Sequence, residues 1–162
     1  AHRGAEVAHS ESFDPEEVLA RCIRQLRVPP FAERTIELTG PSEPQGLVTG
    51  DVEALELAWT NLIENALKYS SSDRPVHVHY SASNRYLTVH VDDAGAGIAA
   101  ADRRAVLKPF RRLGDEVKRS TEGTGLGLYL AQAIVHMHKG RLHIGTSPQG
   151  GTRITTTIPL KA

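Results

Sequence analysis

The sequence predicts an α/β protein: a two-layer α/β sandwich in which a mixed, mostly antiparallel sheet of about five strands carries three main helices on one face. Segments around 76–81, 86–93, 142–144 and 154–158 alternate apolar and polar residues with a period of two, as strands with one buried face do. Three other segments repeat apolar residues at helical spacing. A sheet that is apolar on one side only is covered by helices on that side.

The composition is that of a globular domain with neither a basic nor an acidic excess. Of 162 residues, 40% are hydrophobic and 23% charged, and Lys+Arg and Asp+Glu both number 19. This balance gives no overall field for nucleic acid, so we expect no nucleic-acid partner. The single Cys22 predicts an inert thiol in a reducing compartment. No apolar run approaches the roughly 20 residues of a membrane span, and we expect a cytoplasmic domain.

The N-terminal part predicts a linker followed by a helix and two short strands. Residues 1–12 lack apolar periodicity and are interpreted as a linker or the end of a preceding segment, so that the domain comprises residues 13–162. Asp14, followed by proline and two glutamates, is a helix start, and the helix ends before the Pro-Pro pair at 29–30. Short strands are predicted at 35–38 and 46–49.

The central helix, predicted from Asp51 to Ser70, carries two lines of side chains. A polar line of Asn61, Asn65 and Lys68 runs beside an apolar line that should be buried. Two amides and an ammonium at one edge suit a metal ion and phosphate oxygens, whereas the simpler alternative is a solvated helix flank. The apolar line consists of Leu55, Trp59, Leu62, Ala66 and Tyr69.

The alternation of the strand that ends at residue 93 separates two adjacent acids. It places Asp93 on the core side and Asp92 on the open face. A carboxylate at the core edge needs a partner, so Asp93 is a candidate for binding a donor group of a ligand; alternatively, it accepts hydrogen bonds from the glycine-rich turn that follows. Four histidines should lie on the open face, either as plain polar surface or as a zinc or nickel site. They are His77, His79, His90 and His143.

The remaining motifs are glycine-rich. A turn at 95–97 follows the strand, a short helical stretch is predicted around 100–107, and the polar segment 113–122 should be mobile. The turn at 123–128 opens a helix, which is a usual setting for phosphate because its free N–H groups and positive dipole end face the ligand. Another hairpin turn is predicted at 149–152. The predicted core stripe of the last helix is Leu126, Leu130, Ala133, Ile134 and Met137.

Taken in order, these motifs resemble the five sequence boxes of the catalytic, ATP-binding domain of bacterial sensor histidine kinases. That superfamily also includes gyrase B, Hsp90 and MutL, and its fold is the Bergerat-type α/β sandwich. The resemblance extends over about residues 13–160. The boxes are the asparagine box 61–69, the first glycine box 93–97, the phenylalanine box 109–112, the second glycine box 123–128 and the final Gly-Gly-Thr at 150–152.

The resemblance implies a site for ATP and Mg²⁺. Asn65 would give an oxygen to Mg²⁺ with Asn61 nearby, Lys68 would contact phosphate, and Asp93 would accept a hydrogen bond from the adenine amino group. The implied nucleotide-binding residues are Asn61, Asn65, Lys68, Tyr69, Asp93, Gly95, Gly97, Ile98, Phe110, Gly123, Thr124, Gly125, Leu126, Gly127, Leu128 and Thr152.

The resemblance also implies a lid and catalytic groups. Residues 98–122 would form a mobile lid over ATP, anchored by Phe110. Asn65, Lys68 and Arg112 would act in phosphoryl transfer, with Arg111 as the alternative cation. Glu64 is either a residual acid or base or an ordinary helix-flank acid. Related hydrolases have a water-activating glutamate where this chain has Asn61, so we expect poor ATP hydrolysis.

The acceptor of the phosphoryl group is expected outside this chain. Family members phosphorylate a histidine that is usually followed by an acid, and none of the eight histidines here is. The implied partners are a response regulator and a helical dimerisation domain, for which residues 1–12 are either the end or a linker. We expect the chain to be a monomer and the full-length protein a homodimer. The alternatives are a degenerate regulatory scaffold and a serine kinase of the anti-sigma-factor type.

Overall fold

Seven strands and three α-helices make up the part of the chain that the computed structural model describes, which is residues 9–43, 47–108 and 127–160. Two single 3₁₀ turns, Ala100–Asp102 and Ala105–Leu107, lie where a short helical stretch was predicted. The elements are β1 (Glu11–Phe13), α1 (Pro15–Leu26), β2 (Ile36–Thr39), β3 (Val48–Gly50), α2 (Val52–Tyr69), β4 (Val76–Ala82), β5 (Tyr86–Asp92), α3 (Gly127–Met137), β6 (Arg141–Thr146) and β7 (Thr152–Pro159).

Five strands form one sheet in the order β2-β4-β5-β7-β6. The pair β2 and β4 is parallel and the other three pairs are antiparallel. Along each central strand, alternate residues are buried, as the period-two pattern predicts. The mixed, mostly antiparallel sheet is therefore confirmed, and the strands β2 and β3 begin one or two residues later than predicted.

The three helices form the second layer, with α2 between α1 and α3. Helix α2 begins and ends as predicted, since the side chain of Asp51 accepts a hydrogen bond from the N–H of Ala54 and Ser70 follows the last helical residue. The predicted apolar line of α2 is buried apart from its last member. Tyr69 is 43% exposed, so its assignment to the core face was wrong. It is the last residue of the helix.

Trp59 of α2 is the largest fully buried side chain. Its indole Nε1 donates a hydrogen bond to Oγ1 of Thr156 in β7 at 3.1 Å, which satisfies both polar groups in the core. The ring of Phe13 meets it edge-on at a centroid distance of 6.4 Å. Phe13 belongs to β1, which pairs with β3 in a second, two-stranded sheet. Glu11 and Ser12 are thus part of a strand and not of the predicted linker, because the strand pairing brings Phe13 into the core.

The buried side of α3 is rotated relative to the predicted stripe. Ala131, Ile134 and Val135 are its buried residues, whereas Leu130 is 37% exposed. Helix α3 is apolar almost all round, and such a helix does not reveal from its sequence which side faces the core. Leu126 lies outside the described residues.

The buried thiol of Cys22 confirms the prediction of an inert cysteine. Its Sγ donates a weak hydrogen bond to the carbonyl of Glu56 at 3.5 Å. Burial raises the pKa of Cys22 to about 11, so the thiol stays protonated and unreactive at neutral pH. Among the described residues there is no helix long and apolar enough to cross a membrane.

The open face of the sheet carries the predicted histidines. His79, His90 and Thr155 lie opposite one another on neighbouring strands, and His143 follows in the same row. The rings of His79 and His90 are 4.5 Å apart. Within 9–43, 47–108 and 127–160 no group of three or more His, Cys, Asp or Glu side chains is arranged to hold a metal ion. A polar sheet surface is therefore the interpretation that the described residues support.

Candidate functional site

The polar line of α2 faces the beginning of α3. Asn61 and Asn65 are both half-buried there. A Cβ added to Gly127, the first residue of α3, would lie 3.3 Å from Nδ2 of Asn65 and 3.9 Å from Cβ of Asn61. The missing side chain of Gly127 lets the N-terminus of α3 approach the two amides. Two motifs that are 62 residues apart along the chain, counted from Asn65 to Gly127, thus meet at one edge of the helical layer.

Glu64 and Lys68, two of the predicted catalytic residues, form an ion pair with each other. Nζ of Lys68 lies 3.1 Å from Oε1 of Glu64, and both side chains are partly exposed. An (i, i+4) pair on a helix surface stabilises it by only about 0.2–0.5 kcal/mol. An anion arriving at this edge would therefore compete with Glu64 for the ammonium at little cost.

Asp93 lies just after β5 with its side chain buried on the helical side of the sheet. Its Oδ1 accepts two hydrogen bonds of 2.9 Å, one from the N–H of Gly95 and one from the N–H of Thr152. Burial raises the pKa of Asp93 above its usual value, and these two hydrogen bonds oppose the rise. Both predicted partners of Asp93 remain relevant: the turn amides occupy Oδ1, and no described residue donates a hydrogen bond to Oδ2.

The turn after Asp93 packs against the end of α2. A Cβ at Gly95 would collide with the carbonyl oxygen of Tyr69, so only glycine permits this approach. The N–H of Ala94 donates a hydrogen bond to Oγ of Ser70 at 3.3 Å, which ties the same turn to the helix. Gly97 has a φ of 78°, a left-handed conformation that favours glycine. The first glycine box and the asparagine box are therefore joined through α2.

Ser147 is a residue of this site that the sequence analysis missed. It is buried in the turn between β6 and β7, where its Oγ donates a hydrogen bond to the carbonyl of Asp93 at 2.6 Å. The same oxygen accepts a hydrogen bond from the N–H of Gly151 at 3.0 Å. The available signal was a serine directly before Pro-Gln-Gly-Gly, a position where serine hydroxyls often bond to nearby main chain.

Arg103 is a second missed residue. Its Nε donates a hydrogen bond to the carbonyl of Ile98 at 3.1 Å, and its Nη2 donates one to Oγ1 of Thr146 at 3.3 Å. This side chain holds the segment after Gly97 against the end of β6. No motif in the sequence distinguishes Arg103 from its neighbour Arg104, because only the folded chain brings Thr146 within reach.

The structure covers part of the predicted lid and of the second glycine box. Residues 98–108 contain the two 3₁₀ turns, and Val106 is buried against the core. Ile98 and Leu128 are partly buried and pack on the same core. The mobility of the lid stays a prediction. Outside the described residues lie Phe110, Arg111, Arg112, Gly123, Thr124, Gly125 and Leu126.

Comparison with known proteins gives concordant results. A family model described as "Histidine kinase-, DNA gyrase B-, and HSP90-like ATPase" matches residues 50–162. The sensor histidine kinase CpxA of Escherichia coli K12 is 35% identical over 111 residues, which are 68% of this chain and 24% of CpxA. The sensor histidine kinase RcsC of the same strain is 32% identical over 150 residues, 91% of this chain and 16% of RcsC.

The fold is the same as that of a solved structure over nearly the whole length of both chains. The structure of the mycobacterial sensor histidine kinase MprB superimposes with a TM-score of 0.79 at 27% identity, covering 94% of this chain and 99% of that one. The two-layer sandwich predicted from the sequence is thereby confirmed. The chain spans about a quarter or less of the curated relatives that it matches.

Proposed function

Because the chain belongs to the family of histidine kinase-, DNA gyrase B- and HSP90-like ATPases, we propose that it is the ATP-binding catalytic domain of a two-component sensor histidine kinase. The proposal rests on one observation: the domain has a set of polar side chains suited to phosphates and a separate carboxylate suited to a base. Asn61 and Asn65 meet the N-terminus of α3 on one side, and Asp93 presents an oxygen without a donor among the described residues on the other. The first group suits phosphates and the second suits a base with an amino group.

The phosphate end is formed by α2 and the beginning of α3. Gly127, the first residue of α3, lies beside Asn61 and Asn65. A helix N-terminus carries the positive end of the dipole and free main-chain N–H groups, both of which suit phosphate. Amide oxygens are suitable ligands for Mg²⁺ when phosphates complete its coordination, and the glycine at 127 brings the beginning of α3 close to the amide of Asn65. Bound Mg²⁺ would neutralise negative charge on the phosphates. Lys68 would exchange Glu64 for a phosphate oxygen.

The base end is formed by Asp93 and the two turns that hold it. Because Oδ1 is occupied by the N–H groups of Gly95 and Thr152, Oδ2 would accept the hydrogen bond from the adenine amino group. Tyr69 and Ile98 would line this end of the pocket, next to Gly97. The backbone donors supply no full positive charge, so the carboxylate remains a strong acceptor for a neutral amino group.

The reaction proposed for the complete protein is phosphoryl transfer. The bond between the γ-phosphorus of ATP and its bridging oxygen breaks, ADP leaves with the electron pair, and a bond forms to a ring nitrogen of histidine. That histidine lies on a helical dimerisation domain of a homodimeric, cytoplasmic kinase region, and a response regulator receives the phosphoryl group next. Arg112 would stabilise the transferring group and Phe110 would anchor the lid, with residues 98–122 closing over ATP. Glu64 is the candidate acid or base.

Calorimetric titration with ATP, with and without Mg²⁺, tests the nucleotide site. We expect saturable binding that Mg²⁺ strengthens, a loss in Asn65→Ala, and a loss of roughly a hundredfold or more in Asp93→Asn. In Asp93→Asn, the N–H groups of Gly95 and Thr152 donate to the amide oxygen, so the amide NH₂ is turned toward the amino group of the base. Two donors then face each other and no hydrogen bond forms between them.

His143→Gln is the matched control, since His143 is exposed on the open face. No ATP binding by the folded parent would contradict the proposal and favour the degenerate scaffold. Incubation with ATP labelled in the γ-phosphate tests the second part: we expect no phosphohistidine on this chain alone, and stoichiometric label would refute the expected location of the acceptor.

A further inference from the structure

The hydroxyl of Ser147 joins two segments that are far apart along the chain. It donates its only proton to the carbonyl of Asp93 at 2.6 Å and accepts a hydrogen bond from the N–H of Gly151 at 3.0 Å. Ser147 is 5% exposed, so water does not readily replace these partners. The end of β5 and the β6–β7 turn are therefore held together by one oxygen atom.

The main chain around Ser147 closes the same turn. Its N–H donates to the carbonyl of Gly151 at 3.0 Å, and its carbonyl accepts from the N–H of Gly150 at 3.0 Å. At the start of β7, the carbonyl of Thr152 accepts from the N–H of Asp93 at 2.9 Å. Because both the N–H and the carbonyl of Ser147 are hydrogen-bonded, the position of its hydroxyl is well defined.

This arrangement reaches the carboxylate of Asp93 through one peptide unit. Gly151, which bonds to the hydroxyl, directly precedes Thr152, whose N–H donates to Oδ1 of Asp93 at 2.9 Å. The hydroxyl holds the main-chain carbonyl of the same aspartate. Ser147 thus fixes both the backbone of Asp93 and the donor that orients its side chain, and it leaves Oδ2 pointing in one direction.

We propose that Ser147 is a positioning residue that sets the base selectivity of the nucleotide site by orienting the carboxylate of Asp93. The inference rests on the proposed function. Without the hydroxyl, the carbonyl of Asp93 and the N–H of Gly151 lose their buried partner, the turn shifts, and Thr152 no longer holds Oδ1. The phosphate end is built from α2 and α3, and among the described residues no hydrogen bond or ion pair joins this turn to Asn61, Asn65 or Lys68.

The experiment measures dissociation constants for ATP and inosine triphosphate in the parent, Ser147→Ala and Ser147→Thr. Inosine triphosphate carries an oxygen where adenine has its amino group, so it tests Asp93 while the triphosphate stays the same. We expect the parent to prefer ATP. Ser147→Ala should weaken the binding of ATP by about five- to tenfold and that of inosine triphosphate by less than about twofold. The difference corresponds to the loss of one oriented hydrogen bond. Ser147→Thr keeps the hydroxyl and should keep the preference.

Ser83→Ala is the matched control. Its Oγ accepts hydrogen bonds from the N–H groups of Arg85 and Tyr86 at 3.1 and 3.0 Å in the turn at the opposite end of β5, so this variant should retain the full preference. Equal weakening of both nucleotides by Ser147→Ala, or no change in either, would overturn the inference while ATP binding by the parent still supports the proposed function. If Ser147→Ala does not fold, Ser147→Cys replaces it with the same two outcomes, because a thiol is a weaker donor. A folded parent that binds neither nucleotide would refute both.

Discussion

Asp92 and Asp93 are neighbours in the chain but belong to opposite sides of the sheet. Asp92 lies on the open side, where the guanidinium of Arg153 donates to both carboxylate oxygens at 2.7 and 2.8 Å. Asp93 lies on the helical side, where two main-chain N–H groups donate to one oxygen only. Both side chains are buried.

The difference separates a structural acid from a binding acid. Arg153 neutralises Asp92 and donates to both of its oxygens, so Asp92 is a weaker acceptor for a ligand than Asp93. Main-chain donors supply only partial charge to Asp93 and leave Oδ2 for another donor. Removing one partner of a buried carboxylate–cation pair destabilises the fold, whereas a carboxylate that is held by backbone amides on one oxygen can recognise a ligand.

The largest effect on stability is expected from Asp92→Ala. The Asp92 side chain is only 4% exposed, and its loss leaves Arg153 without its partner in a partly buried place. We expect a loss of about 2–4 kcal/mol in the free energy of unfolding, toward the lower end because Arg153 is 30% exposed, with little change in ATP affinity. Urea denaturation and ATP titration measure the two quantities. Asp73→Ala, at an exposed position, is the control, and a loss of ATP binding with unchanged stability in Asp92→Ala would reverse the assignment.

A pair of glycine variants tests the same contrast by steric means. In Gly151→Ala, the new methyl group would collide with the carbonyl and Oδ1 of Asp93 and lie 2.7 Å from the amide nitrogen of Gly95. We expect a loss of roughly 1–3 kcal/mol in stability together with weaker ATP binding. In Gly145→Ala on β6, the nearest atom is 3.8 Å away, in the ring of His143, and both quantities should stay within about 0.5 kcal/mol of the parent. Similar effects of the two variants on stability and ATP binding would contradict the distinction between the helical side and the open side of the sheet.

The smallest effect concerns the pH dependence of the open side. Burial lowers the pKa of His79 and of His90 below 6.5, and the charge of Arg153 lowers both further, while Asp92 opposes this. Below pH 6.5, the two histidines therefore bind more protons in the unfolded chain than in the native state. Stability should fall as the pH drops from 6.5 through the lowered pKa values, by less than about 1 kcal/mol since the rings are partly exposed.

Asp93 contributes the opposite sign. Its pKa is raised in the folded state, mainly by burial, so the native protein gains stability as the pH falls through that raised value toward 3.8. Unfolding free energies are measured by urea between about pH 7.5 and 5.5, on either side of the ordinary histidine pKa, and the parent is compared with a variant that lacks both histidines. The double variant His79→Gln, His90→Gln should flatten the profile. An unchanged slope in the double variant would show that other groups cause the pH dependence.

Much of this contrast could be predicted from local patterns. Side chains of a strand alternate between faces, so the parity of the residues before Asp92 and Asp93 was enough to place them on opposite sides. The polar line of α2 followed from the helical period in the same way. The local signals failed where the period was ambiguous. Helix α3 is apolar on nearly every side, and the side that it packs against α2 leaves Leu130 exposed.

Residues that act through distant partners could not be predicted. Nothing adjacent to Ser147 indicates that its hydroxyl bonds to Asp93, which is 54 residues away. The same holds for Arg103 and Thr146, which are 43 residues apart. The strand formed by Glu11 and Phe13 also depends on a partner, because β1 exists by pairing with β3.

By itself, the sequence determined the three helices and the five strands of the main sheet, the faces on which Asp92 and Asp93 lie, and the boxes that indicate an ATP site, because periodicity and capping act within a few residues of the chain. Only the tertiary structure decided how Asn65 meets Gly127 and which oxygen of Asp93 stays available, because hydrogen bonds between segments depend on distances that folding creates. Recognition at this site therefore rests on contacts such as that of Ser147, whose partners are near in space and remote along the chain.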